Sequence, residues 1–125
     1  MMVVMSVHAG AARLASLSSI EELDTAIRRS NERPVILFKH SSSCGTSAMA
    51  LEEIEDLVAG EPAADIFIVS VQTAPHVSRE IAARFGVRHE SPQVLVIDRG
   101  AVRWHGSHFR VTAREIELNL RSRPS

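Results

Sequence analysis

Residues 35–47 read Val35-Ile36-Leu37-Phe38-Lys39-His40-Ser41-Ser42-Ser43-Cys44-Gly45-Thr46-Ser47, and this stretch decides the fold. Val35 to Phe38 is a continuous apolar run of β-favouring residues, the pattern of a strand covered on both faces. The small polar run Ser41 to Ser43 ends it. A helix is then expected to begin near Cys44, with Met49, Ala50, Leu51, Ile54, Leu57 and Val58 as its buried stripe and Gly60 and Pro62 as its stop. A central strand entering a helix through a short polar turn is the elementary piece of an α/β architecture.

Working outward, the flanking segments repeat that grammar. Before the strand, Ser18 and Ser19 stand three residues ahead of Glu21 and Glu22 as in a capping box, and Ile20, Leu23, Ala26 and Ile27 recur at helical spacing, so a helix should run to about Arg29. After it, Ile66 to Val69 with Val71 forms a second apolar strand. Pro75 sits near the first turn of a helix that turns Val77, Ile81, Ala82 and Phe85 inward and ends at Gly86. Val94 to Ile97 is a third apolar strand. Asp98-Arg99-Gly100 is a turn signal, and Val102 and Trp104 alternate with Arg103 and His105, which reads as a β-hairpin. Thr112 with Glu115 opens a last helix, stapled by Val111 on Ile116 and running to about Leu120. The order α-β-α-β-α-β-β-α, with crossover helices and one terminal hairpin, places the chain among α/β folds.

Composition narrows the function. A chain of 125 residues, 45% hydrophobic and 23% charged, suits one globular domain, and no apolar run approaches the roughly 20 residues of a membrane-spanning helix. Lys and Arg number 14 against 15 Asp and Glu, with four Phe, one Trp and no Tyr, so neither phosphate attraction nor base stacking is offered. Nucleic acid and membrane are not expected partners. Residues 1–14 read as an N-terminal extension to a single domain over 15–125. They lack the basic start of a signal peptide, and His8 interrupts their apolar residues.

Cys44 is the only cysteine. No intrachain disulfide can form, and the expected compartment is a reducing cytoplasm. At a strand-to-helix junction, unpaired backbone N–H groups and the positive end of the helix dipole favour a thiolate over a thiol. Ser47, three residues on, lies on the same helical face and has a hydroxyl to donate to that thiolate. A lone cysteine is commonly a small buried hydrophobe. One set between three serines and a glycine at such a junction reads instead as a nucleophile. Cys44-Gly45-Thr46-Ser47 is a C-x-x-C redox motif with serine in place of the second cysteine.

Three segments then carry a resemblance: Phe38-Lys39-His40-Ser41 ahead of Cys44; His89-Glu90-Ser91-Pro92-Gln93; and Trp104-His105 with Ser107-His108 leading into Val111-Thr112. Together they resemble the monothiol bacilliredoxin family of bacteria, over roughly Leu14 to Leu120. The resemblance implies a thioredoxin-like fold with a central four-stranded mixed sheet flanked by helices and an extra N-terminal helix. It also implies a cis Ser91-Pro92 bond facing the cysteine. The implied activity is thiol-disulfide exchange. Cys44 attacks the mixed disulfide between a protein thiol and bacillithiol, the loop of Ser43, Gly45, Thr46 and Ser47 supports it, and Ser91 and Pro92 line the substrate side. No cofactor is held; bacillithiol is the low-molecular-weight thiol cosubstrate, and bacillithiolated proteins are the partners. Because Ser47 cannot resolve the adduct, an external thiol must do so, either bacillithiol or a resolving thiol protein or reductase. The family usually shows Cys-Pro-Ile-Ser; here Gly45 and Thr46 hold the middle positions, a change that bears on cysteine pKa and reduction potential.

The remaining candidates divide between chemistry and packing. By family position Lys39 and His40 line the bacillithiol site, whose malate carboxylates suit cationic donors; the alternative is an exposed strand-end charge and a packing histidine. His105 and His108 lack the neighbours of a zinc site, so no metal is expected. Trp104 reads as a packing residue, and Glu52, Glu53, Glu55 and Asp56 as a solvated helix face. Two other functions compete. Cys44-Gly45-Thr46-Ser47 is also similar to the Cys-Gly-Phe-Ser site of monothiol glutaredoxins, which would make the chain an iron-sulfur carrier as a dimer. The other is a non-catalytic thioredoxin-like binding module with an inert cysteine.

Overall fold

A computed structural model describes residues 14–42 and 45–121. Ser43 and Cys44 therefore lie outside the described residues, as does nearly all of the expected N-terminal extension. The elements in chain order are β1 (Leu14–Ser16), α1 (Ile20–Arg29), β2 (Val35–His40), α2 (Gly45–Ala59), β3 (Asp65–Ser70), α3 (Pro75–Phe85), β4 (Gln93–Asp98), β5 (Ala101–Ser107), a 3-10 turn (His108–Arg110) and α4 (Ala113–Arg121).

One mixed sheet holds all five strands in the order β1-β3-β2-β4-β5. β3 runs parallel to both β1 and β2, while β4 is antiparallel to β2 and to β5. The apolar runs of β2, β3 and β4 are the three central strands, as continuous hydrophobicity requires when helices cover both faces. Alternation then assigns the faces. Val35 and Leu37 pack with Leu23 and Ala26 of α1 and with Val77 and Ile81 of α3. Ile36 and Phe38 pack with Ala50, Ile54 and Leu57 of α2 and with Ile116 of α4.

Local chemistry sets the boundaries. Ser19 caps α1, its side chain accepting from the Glu22 N–H at 3.1 Å, and Glu22 reaches back to the Ser18 N–H at 2.7 Å. Thr112 Oγ1 accepts the Glu115 N–H at 3.1 Å at the start of α4. The β4–β5 hairpin closes through Arg99 and Gly100, both at positive φ, the backbone that two-residue hairpin loops demand.

Two expectations need correction. The sheet has five strands rather than four, because Leu14–Ser16 adds an edge to β3, with Leu14 opposite Ile66 and Ser16 opposite Ile68. Three residues are too few to show a period; only the partner strand reveals them. Met49, assigned to the buried stripe of α2, is 57% exposed, and Leu51 and Val58 are half-buried. The stripe runs instead through Ser47, Ala50, Ile54 and Leu57, the three- and four-residue spacing of one helix face.

Candidate active site

The candidate site lies where β2 ends and α2 begins. Ser42 and Gly45 bracket the stretch containing Ser43 and Cys44, and both bracketing residues are exposed. The loop is tied on two sides. Ser41 donates its N–H to Ser47 Oγ at 3.2 Å, which fastens the strand end to the first turn of α2. Ser42 donates its N–H to Gln72 Oε1, and Gln72 Nε2 donates to Ser41 Oγ, both at 3.1 Å, which fastens it to the β3–α3 loop. Ser47 is buried and Thr46 half-buried. A hydroxyl that accepts from Ser41 keeps its own proton to donate. α2 is 15 residues long with no acidic residue in its first turn, so nothing on its own first turn offsets the positive end of its dipole.

The pairing of β2 with β4 supplies the opposite wall. Lys39 is paired with Gln93, so Ser91 and Pro92, which precede Gln93, stand beside the end of β2. The Ser91–Pro92 peptide bond is cis. Pro92 is buried and its carbonyl accepts the His108 N–H at 2.9 Å. Ser91 Oγ is buried with no hydrogen-bond partner among the described residues. Glu90 accepts from His108 Nε2 at 2.7 Å and from Ser107 Oγ at 3.2 Å. The hydrogen bond from His108, then that from Ser107, holds the Glu90 carboxyl below its usual range. His108, at a φ of 57°, thus clamps the proline loop to the end of β5.

Strand alternation separates the two cationic candidates. His40 lies on the face of α2 and α4, half-buried, its ring centroid 5.7 Å from that of Phe38, and burial lowers its pKa. Lys39 points to the opposite face and is wholly buried rather than an exposed strand-end charge. Its Nζ is 3.3 Å from His89 Nδ1, and Ser78 Oγ is 3.2 Å from the same nitrogen. An ammonium only donates, so a charged Lys39 goes with an unprotonated Nδ1, a neutral ring that carries its proton on Nε2. Burial, then the Lys39 charge, lowers the His89 pKa; burial pushes Lys39 down to about 8. Trp104 is half-buried against the α2 and α4 core, with the Arg110 guanidinium 5.6 Å above its ring.

Gln72, Ser78, His89 and Glu90 are site neighbours not singled out one by one from the sequence, and His108, weighed there only as a metal ligand, is the partner of Glu90. His89, Glu90 and His108 do belong to the quoted segments, whereas Gln72 and Ser78 carry no signal in sequence. Beside Thr46, a groove of about 140 Å³ runs between α2 and the 3-10 turn, with Met49 and Phe109 on its walls. A roomier groove of about 370 Å³, between Pro34, Pro62, Glu117 and Leu120, lies at the other end of the sheet and has no nucleophile in its lining.

The fold and this site define a class: a thioredoxin-like redox protein with serine where a second active-site cysteine would stand. Solved structures agree on the fold. A proposed oxidoreductase with a thioredoxin fold superimposes with a TM-score of 0.78 at 26% identity, covering 85% of this chain and 92% of that one. A mutant thioredoxin from Halobacterium salinarum gives 0.72 at 18%, covering 92% and 94%. The thioredoxin of Trypanosoma brucei brucei gives 0.71 at 14%, covering 94% and 96%. The family model for monothiol bacilliredoxin BrxC matches residues 15–116, and the chain belongs to that family.

Proposed function

We propose that this protein is a monothiol thiol-disulfide oxidoreductase that removes bacillithiol from protein thiols. The observation that carries the reading is the position of the sole cysteine, immediately before the first residue of α2, in a chain of the bacilliredoxin family. The Cys44 thiolate attacks the bacillithiol sulfur of a mixed disulfide. A new Cys44–bacillithiol disulfide forms, the old S–S bond breaks, and the protein thiolate leaves and takes a proton from water. A second thiolate, from bacillithiol or a reductase, then attacks the adduct and regenerates Cys44, so the two electrons come from the external thiol. The chain has no second thiol with which to close a dithiol cycle, and a reducing compartment such as the cytoplasm keeps Cys44 competent.

The surroundings support the same assignment. The Ser91–Pro92 backbone beside the end of β2 suits an extended substrate segment adding to the sheet. A test is to mix the reduced protein with a bacillithiolated model protein and follow both chains by mass. The bacillithiol mass should leave the substrate and appear on this protein, and Cys44→Ser should transfer none. Equal loss of bacillithiol from the substrate with and without Cys44 would contradict the proposal.

A further inference from the structure

Three large hydrophobic side chains stand exposed among the described residues: Met49, Phe109 and Leu118. Scattered singly, such residues are ordinary on a protein surface. Met49 of α2, 57% exposed, and Phe109 of the 3-10 turn, 75% exposed, differ because both line the groove beside Thr46. Ala50 and Val111, almost fully buried, line it too, so the groove reaches down to the core between α2 and α4. Phe109 belongs to neither core cluster. Its turn is nevertheless held firmly. His108 donates its N–H to the Pro92 carbonyl and its Nε2–H to Glu90, and its own carbonyl accepts the Val111 N–H at 3.2 Å. On the α2 side, Glu53 Oε1 accepts the Ala113 N–H at 2.9 Å and ties α2 to the start of α4. An aromatic ring that the core does not use, held out by a fixed turn beside a concave apolar surface, marks a place where another molecule binds.

We propose that this groove docks the protein partner: one apolar side chain, such as Leu or Met, enters beside Met49 and Phe109, and a neighbouring Lys or Arg pairs with Glu52. This rests on the reading that the chain acts on mixed disulfides of proteins. The site itself is built wholly from described residues.

Charge selects the occupant. The charged groups of the groove are Glu52, which is exposed, Glu53, and His108, whose ring is engaged by Glu90. Arg110, the cation of the turn, is directed elsewhere, over the Trp104 ring and 4.0 Å from a Glu115 oxygen. The groove is therefore acidic. It repels an anionic small thiol with malate carboxylates and attracts a basic protein segment. His108 joins the groove to the Ser91–Pro92 loop through the Pro92 carbonyl, so a segment laid along that backbone passes the groove. The flexible thioether of Met49 adapts to side chains of different shape, which suits a protein that meets several partners.

The test uses three bacillithiolated peptides whose cysteine is flanked on both sides by Leu and Arg, by Ser and Arg, or by Leu and Glu. Wild type should prefer the Leu-Arg peptide to the Ser-Arg peptide by about tenfold in kcat/KM, carried by KM. It should prefer Leu-Arg to Leu-Glu by about threefold, a ratio that shrinks as salt is added. Phe109→Ser or Met49→Ser should abolish the first preference and Glu52→Lys the second. Equal rates on all three peptides with wild type would overturn the proposal, and so would variants that slow all three alike. Self-association of wild type that is lost in Phe109→Ser, with no peptide preference, would give the groove to a second copy of this chain and overturn it as well. A second arm needs no exchange: the Leu-Arg peptide, its cysteine alkylated, is titrated into Cys44→Ser and followed by amide chemical shifts. Shifts at Ala50, Phe109 and Val111, absent with the Leu-Glu peptide, support the groove even if wild type fails to exchange with bacillithiol, a failure that would defeat only the assigned thiol.

Discussion

The parallel pair β2 and β3 carries one buried charge at each end, and the two are treated in opposite ways. At the start of β3, Asp65 accepts from Arg29 Nε at 2.8 Å and Nη2 at 2.6 Å, with Arg33 Nε 3.6 Å away. Near the end of β2, Lys39 meets a neutral imidazole and, through it, a serine hydroxyl. The first end is neutralised and ties α1 to the sheet; it contributes stability. The second retains an uncompensated charge next to the loop that carries the cysteine. The lesson is that burial alone does not assign a role to a charge; its partners do.

The largest expected effect breaks the stabilised end. Asp65→Ala leaves two arginines facing a space without a counter-charge and should cost about 3 kcal/mol, read as a lower urea midpoint. Per folded molecule, the rate of Cys44 alkylation should not change.

Lys39→Met should do the reverse. The Ser78 hydroxyl still pairs with His89 Nδ1, so neither polar atom is orphaned, and the variant should match or exceed wild-type stability at pH 7. The sign follows from the lowered pKa. Below about 8, both folded and unfolded chains hold the Lys39 proton, and the full cost of burial is present. Between about 8 and the ordinary value of 10.5, only the unfolded chain holds it, so wild-type stability rises with pH. Urea titrations at pH 7, 8.5 and 10 should show wild type gaining about 2 kcal/mol on the variant across that window. A constant difference would show that Lys39 does not titrate there.

The smallest effect sharpens the comparison at the loop. Gln72→Ala removes two exposed hydrogen bonds to Ser41 and Ser42, which should lower stability by less than about 1 kcal/mol. Hydrogen exchange at the Ser42 amide should nevertheless accelerate, because its acceptor is gone.

What the sequence disclosed follows from the range of the interactions involved. β2, β3 and β4 were legible because a strand covered on both faces writes an unbroken apolar run, and α1 because Ser19 and Glu22 cap it within four residues. The passage from β2, ending at His40, to α2, starting at Gly45, was legible for the same local reason. Met49 was misplaced because an apolar residue one position from Ala50 falls off a face that only the sheet defines. β1 escaped notice because its three residues acquire meaning from Ile66 to Ile68. Lys39 was ambiguous because its partner His89 is 50 residues away in sequence, and no pattern around residue 39 announces a contact on the loop after α3.

The proposal that Cys44 is a nucleophile matched to bacillithiol is best tried by direct exchange with small disulfides. Reduced protein is incubated with bacillithiol disulfide and, in parallel, with glutathione disulfide, and intact masses are recorded over time with Cys44→Ser as the control. The expected result is rapid gain of one bacillithiol at Cys44, slower or no gain of glutathione, and reversal by excess bacillithiol. No adduct from either disulfide, on folded protein with a reduced thiol, would contradict it.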